Sequence, residues 1–202
     1  MIARRPTLIA VLTGLWSLAV AGAALAGETK VAVAANFTEP AKAIAARFKA
    51  RTGHDVVLSF GSSGQFYTQI ANGAPYEVFL SADVERPHKA EAEGLAVAGS
   101  RFTYATGRLV LFSRTPGLVD GGGAVLASDR FDKLAIADPK AAPYGQAAIE
   151  TLTRLRRYDA VRPKIVMGAS ITQAFQFAQT GAVMIVIIVV VVYRDTHLEF
   201  DN

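Results

Sequence analysis

The chain reads as an α/β protein built on a largely parallel sheet, and three observations carry that reading. Short β-rich runs alternate with segments of helical spacing from Lys30 to Gly181. The turns that lead from strand to helix hold small polar or helix-opening residues, and glycines punctuate several helix ends. Alternation of this kind predicts strands laid side by side and covered by helices.

Each element follows from local chemistry. Lys30 to Ala35 is a short β run; Thr38 then offers a cap, Glu39 and Pro40 a first turn, and Ala41, Ile44, Ala45 and Phe48 a helical stripe that Gly53 stops. Asp55 to Phe60 is the second strand and Ser63 to Ala71 the second helix, closed by Gly73. Tyr76 to Ser81 reads as a strand, Val84 to Glu93 as a helix ending at Gly94, and Arg108 to Ser113 as the fourth strand. Beyond the Gly121-Gly122-Gly123 loop come a strand at Leu134 to Ala137, a helix at Pro143 to Arg156, a strand at Lys164 to Met167 and a helix at Ile171 to Gln179.

Residues 1–26 have the grammar of a removable export signal. Arg4 and Arg5 supply the positive region, Thr7 to Val20 the apolar run, and Ala24-Leu25-Ala26 a small-x-small cleavage site. The apolar run is shorter than the roughly 20 residues a membrane helix needs. Without those two arginines, 19 basic residues face 17 acidic ones, so charge gives no reason to invoke nucleic acid. With no cysteine and three widely separated histidines, the chain has neither disulfides nor a zinc-type cluster and must rely on an ordinary core.

Ligands of parallel α/β sheets bind beyond the carboxyl ends of the strands. Four turns there carry suitable residues: Ala35-Asn36-Phe37, Gly61-Ser62-Ser63-Gly64, Asp138 to Tyr144, and Gly168-Ala169-Ser170-Ile171. Unpaired amides at helix starts, with hydroxyls beside them, make an anion pocket. Two turns lie in each half of the chain, so a site built from all four implies a cleft between lobes. Other chemistry fits less well. The Gly61–Gly64 run misses the nucleophile-elbow spacing by one residue, and His197 is the only late histidine that could act as its base. Simple helix capping by the serine pair is the plainest alternative. No Gly-Lys-Ser/Thr loop is present, Glu91 and Glu93 read as a solvated face, and Arg154, Arg156 and Arg157 suit a helix end.

Four stretches together resemble the periplasmic molybdate-binding proteins of ABC importers: Val33 to Ala41, Leu58 to Gly64, Asn72 to Asp83 and Gly107 to Leu111. The resemblance runs from about Lys30 to Gly181. It implies a two-lobed periplasmic-binding-protein-like fold closing over molybdate or tungstate, with lobes at 27–107 and 108–181. It also implies a monomer outside the cytoplasmic membrane that delivers its oxyanion to an ABC permease, with no cofactor, no metal-cation ligands and no catalysis. Carried over residue by residue, Asn36 and Ser63, with Ser62 beside it, donate side-chain hydrogen bonds, while Tyr144 and Ile171 contribute mainly their amides. A donor-only pocket suits a bare dianion, whereas protonated phosphate wants an acceptor. Sulfate would be separated by size. A different oxyanion such as sulfate, or an exported hydrolase using Ser62 or Ser63, are the rival expectations.

Past Gly181 the resemblance stops. Ala182 to Val192 is a continuous β-branched run, too short for a membrane helix and expected as a buried strand, and residues 182–202 form a divergent tail. In the resembling proteins the later part of the chain completes the first lobe, so the second lobe and the return to the first are expected to be incomplete here, as after a truncated or frameshifted reading.

Overall fold

The computed structural model describes residues 27–192; the expected export signal and residues 193–202 lie outside that range. Among the described residues seven strands form two separate sheets. In the first, β1 (Glu28–Ala34) lies between β2 (Asp55–Gly61) and β3 (Val78–Leu80), parallel to both. In the second the order is β4 (Thr106–Phe112), β7 (Ile185–Val192), β5 (Leu134–Ala137), β6 (Ile165–Gly168).

The helices are α1 (Thr38–Thr52), α2 (Ser63–Ala71), α3 (Glu85–Ala92), α4 (Pro143–Arg154), the single turn α5 (Tyr158–Val161) and α6 (Ile171–Gln179). Most match the periodicity, and the differences have local causes. Thr38 does not cap α1, because a tight turn at Ala35–Phe37 precedes the helix and the Thr38 hydroxyl donates back to the Ala35 carbonyl at 2.8 Å. At its far end Gly53 adopts φ 74° and sends its amide to the Lys49 carbonyl, the left-handed stop that only glycine takes without strain. α4 ends two residues before the expected Arg156, which itself has φ 55°.

The middle strands are small and buried on both faces. Val31 to Ala34 and Leu134 to Ala137 are all buried, and Ala32, Val33 and the whole of β5 have no exposure. Small residues there let helices approach from either side of a parallel sheet. The larger core lies in the second unit, where Phe131, Leu134, Ile136, Leu152, Val161 and Ile185 meet. A smaller one, Val31, Val33, Phe37 and Ala41, holds the first.

The β-branched run after Gly181 is strand β7, seated inside the second sheet. It runs parallel to β5, with Leu134 opposite Ile185, and antiparallel to β4, with Phe112 opposite Val186 and Thr106 opposite Val192. The second sheet is therefore mixed, which helix–strand alternation alone does not predict. The expected burial holds for the first residues of β7, Ile185 to Ile187, which are covered on both faces, whereas Ile188 and Val189 are half-buried and Val190 is exposed. Ile185→Ala removes a side chain with no exposure from the larger core, so unfolding in urea is expected to show a loss of about 2–5 kcal/mol.

Candidate functional site

Strand register builds the site. Ala34 at the end of β1 pairs with Gly61 at the end of β2, and Ala137 at the end of β5 pairs with Gly168 at the end of β6. In each sheet two neighbouring parallel strands thus stop at one level, and the four turns that follow face the same cleft. The enclosed space is lined by Asn36 from the first turn, Ser62 and Ser63 from the second, Ala142 to Tyr144 from the third, and Ser170 with Ile171 from the fourth. All five residues singled out in the sequence, Asn36, Ser62, Ser63, Tyr144 and Ile171, meet there.

Three helices start at this point: α2 at Ser63, α4 at Pro143 and α6 at Ile171. Their first-turn amides have no partners within their own helices, and the helix dipoles place partial positive charge at the same spot. Pro143 suits the first turn of α4, where its missing N–H costs nothing. No carboxylate and no cationic side chain is among the lining residues.

The serine pair divides into two roles. Ser63, 1% exposed, accepts a hydrogen bond at Oγ from the Ala82 amide at 2.9 Å, which leaves its own hydroxyl proton to donate. Ser62 stands at the N-cap of α2 with both sides of a capping box in place: Gln65 Oε1 accepts from the Ser62 amide at 3.4 Å, and the Gln65 amide faces the Ser62 hydroxyl without reaching hydrogen-bond geometry. Ser62 Oγ is buried and has no hydrogen-bond partner among the described residues. A buried hydroxyl left in that condition costs about 1–3 kcal/mol, so it marks a place where a polar partner belongs.

Contacts between the two units surround the same spot. Asn36 Nδ2 donates to the Tyr144 hydroxyl at 3.1 Å, the Gly64 amide donates to the Ala141 carbonyl at 2.9 Å, and Thr172 Oγ1 donates to the Ala35 carbonyl at 3.4 Å. Burial, reinforced by the charge of Asp83 and opposed by the Asn36 hydrogen bond, pushes the Tyr144 phenol up to about 12. It therefore stays a neutral donor throughout the physiological range. The space between the turns is about 10 Å³, roughly what one water needs. A tetrahedral oxyanion is larger, so its entry requires the units to move apart.

Side-chain roles differ in detail from the expectation. Asn36 gives one of its two side-chain N–H groups to the Tyr144 phenol and keeps the other. Asp83 does not reach the enclosed space; it caps the Arg86 amide at 3.1 Å and pairs with the Arg86 guanidinium. Neither His54 nor His88 lines the site, and His197 lies outside the described residues. Sequence reasoning missed Gly64 and Ala141. A Cβ built on Gly64 would stand 2.6 Å from the Ala141 oxygen, closer than real contacts allow. A poor helix former in the first turn of α2 was the available signal for so close an approach.

An α/β molecule with two sheets and an anion-suited cleft between them is the architecture of a solute-binding protein. Residues 29–195 match the family model described as bacterial extracellular solute-binding protein, and the chain belongs to that family. It is 61% identical over 158 residues to the molybdate-binding protein of Rhodobacter capsulatus, covering 78% of this chain and 62% of that protein. The solved periplasmic molybdate-binding protein of Azotobacter vinelandii superposes with a TM-score of 0.77 at 45% identity, covering 80% of this chain and 71% of that one. The sulfate-binding protein SubI of Mycobacterium tuberculosis shares the fold at TM-score 0.65 and 14% identity. The chain spans about three fifths of the length of curated relatives it matches.

If the Ser62 hydroxyl exists for a ligand and not for the helix, Ser62→Ala leaves the unliganded chain as stable as before or raises its melting temperature. A capping role predicts a loss of about 1 kcal/mol in the same measurement.

Proposed function

We propose that this chain is an extracytoplasmic binding protein that captures molybdate or tungstate and hands it to the permease of an ABC transporter. The observation that carries the proposal is the buried, partnerless Ser62 Oγ within a pocket that offers hydroxyl, carboxamide and peptide donors and has no carboxylate in its lining. Such a pocket suits a dianion that has no proton to give. Burial raises the strength of each donor, because the competing solvent is gone. The names carried by two relatives at 61% and 58% identity support molybdate over sulfate, and sulfate, the smaller dianion, would lose hydrogen bonds to donors fixed on helix starts.

In this reading Asn36, Ser62 and Ser63 hold the anion from the first lobe, residues 27–107. Tyr144 and Ile171 hold it from the second, residues 108–181 extended by the tail. Residues 1–26 serve as the export signal and are removed, which places the mature chain in the periplasm. The protein works as a monomer, uses no cofactor, binds no nucleic acid and catalyses no reaction. Ser62 and Ser63 are donors, not nucleophiles, and no histidine lies in the pocket lining to activate either. Closure of the lobes over the anion is the signal for the permease.

A thermal-shift titration tests the reading. Molybdate and tungstate at a hundredfold excess over Kd are expected to stabilise by about 2.7 kcal/mol, and sulfate at the same concentration by far less. A flat response to molybdate would overturn the proposal. Ser63→Ala lowers molybdate affinity and also loses the Ala82 hydrogen bond, about 1 kcal/mol of stability without ligand. Gly64→Ala sets a methyl group against the Ala141 carbonyl and breaks the hydrogen bond there, so the unliganded melting temperature falls as well. The substitution lowers molybdate affinity at least tenfold in calorimetry, because the closed state no longer forms.

A further inference from the structure

One more turn touches the enclosed space. Between β3 and α3, Ala82 lines it and donates its amide to Ser63 Oγ at 2.9 Å. That hydrogen bond decides what Ser63 can do, because an oxygen that already accepts from Ala82 has its hydroxyl proton left to point at a ligand. The aim of that proton is only as steady as the turn that carries the Ala82 amide.

Asp83 holds the turn. Its Oδ1 accepts from the Ser81 hydroxyl at 3.0 Å and from the Arg86 amide at 3.1 Å, so one oxygen ties the residue before Ala82 to the first turn of α3. Its Oδ2 pairs with the Arg86 guanidinium. Ser81 is buried, and its carbonyl is held from the other side by the Tyr104 hydroxyl at 2.7 Å. Hydrogen bonds to an ionised acceptor are about twice as strong as neutral ones, which suits a carboxylate to this task.

We propose that Asp83 is a positioning residue for the anion site: it does not touch the ligand, but by fixing the turn from Ser81 to Asp83 it aims the Ser63 hydroxyl at the oxyanion. The inference rests on the binding role proposed above and adds to it a residue outside the pocket lining. A carboxylate beside an anion site would by itself oppose binding. The charge of Asp83 does reach the cleft, where it reinforces the burial that raises the Tyr144 phenol. The Arg86 guanidinium, which lies beside Gly64 in the first turn of α2, offsets that charge, so the carboxylate serves through its geometry. The plainest alternative is that Asp83 does no more than cap the start of α3.

Calorimetry with molybdate separates the two roles. Asp83→Ala is expected to weaken binding about tenfold and Asp83→Asn to recover most of that loss, because a carboxamide oxygen still accepts from Ser81 and from the Arg86 amide. Both substitutions remove one negative charge, so the gap between them reads the hydrogen bonds of the turn and not electrostatics. In a Ser63→Ala background, Asp83→Ala is expected to cost less than about twofold more, since the hydroxyl it aims is gone. Ser81→Ala breaks the same link in a chain that keeps the ion pair, and is expected to weaken binding about threefold. Without ligand, exchange of the Ala82 amide quickens in Asp83→Ala and keeps the parent's rate in Asp83→Asn. Parent-like binding by Asp83→Ala or Ser81→Ala, equal losses in the Ala and Asn variants, or full additivity with Ser63→Ala each overturn the proposal and leave Asp83 as a helix cap. A parent chain that binds no molybdate overturns the reading of the site and this inference with it, whereas the outcomes just named need a parent that binds and so fall on Asp83 alone.

Discussion

Pairing of strand ends is the constraint on which the rest of the molecule depends. Ala34 beside Gly61 and Ala137 beside Gly168 set two pairs of parallel strands to stop at a common level, so every turn that follows is delivered to one place. A shift of either register by one residue would turn the side chains to the opposite faces and carry the serines away from the cleft. The buried alanines and valines of β1 and β5 protect that register, because they allow helices to close on both faces of each middle strand. The site is precise because the sheets beneath it are.

Around that convergence the molecule concentrates hydrogen-bond donors and keeps formal charge away. Asp83 and Arg86 neutralise each other at the margin, Tyr144 is held neutral, and the lining contains only backbone, hydroxyl, carboxamide and phenol groups. A full positive charge would bind anions of any shape through water. Fixed dipoles at helix starts bind only what fits their geometry, since a buried donor that misses its acceptor costs more than an exposed one. On the proposed reading, such a lining favours a tetrahedral dianion of one size. The contacts that join the units close to the same residues couple occupancy of the pocket to the shape of the whole protein.

The two units differ in completeness. The second has its mixed sheet, with β7 as an inner strand and a contiguous core from Leu118 to Ile187. The first has three strands, a smaller core and an open groove beside β3. Its stability therefore leans on the interface with the second unit, where Ala35 packs against Ala142 and Ile171.

Much of this was legible in the residues. The alternation of strand and helix, the exact span of α2 and α6, and the four turns that meet at the site followed from local signals, cap residues, glycine stops and turns after strands, while Tyr144 and Ile171 were singled out within those turns by the family resemblance. Such signals act within a few residues, so a single sequence carries them whole. The antiparallel place of β7 against β4, the use of Asn36 on Tyr144, the orphaned Ser62 hydroxyl and the close approach of Gly64 to Ala141 were decided only by tertiary structure. Each of these depends on groups dozens of positions apart, and their distance is set by how two sheets pack and not by any neighbour along the chain.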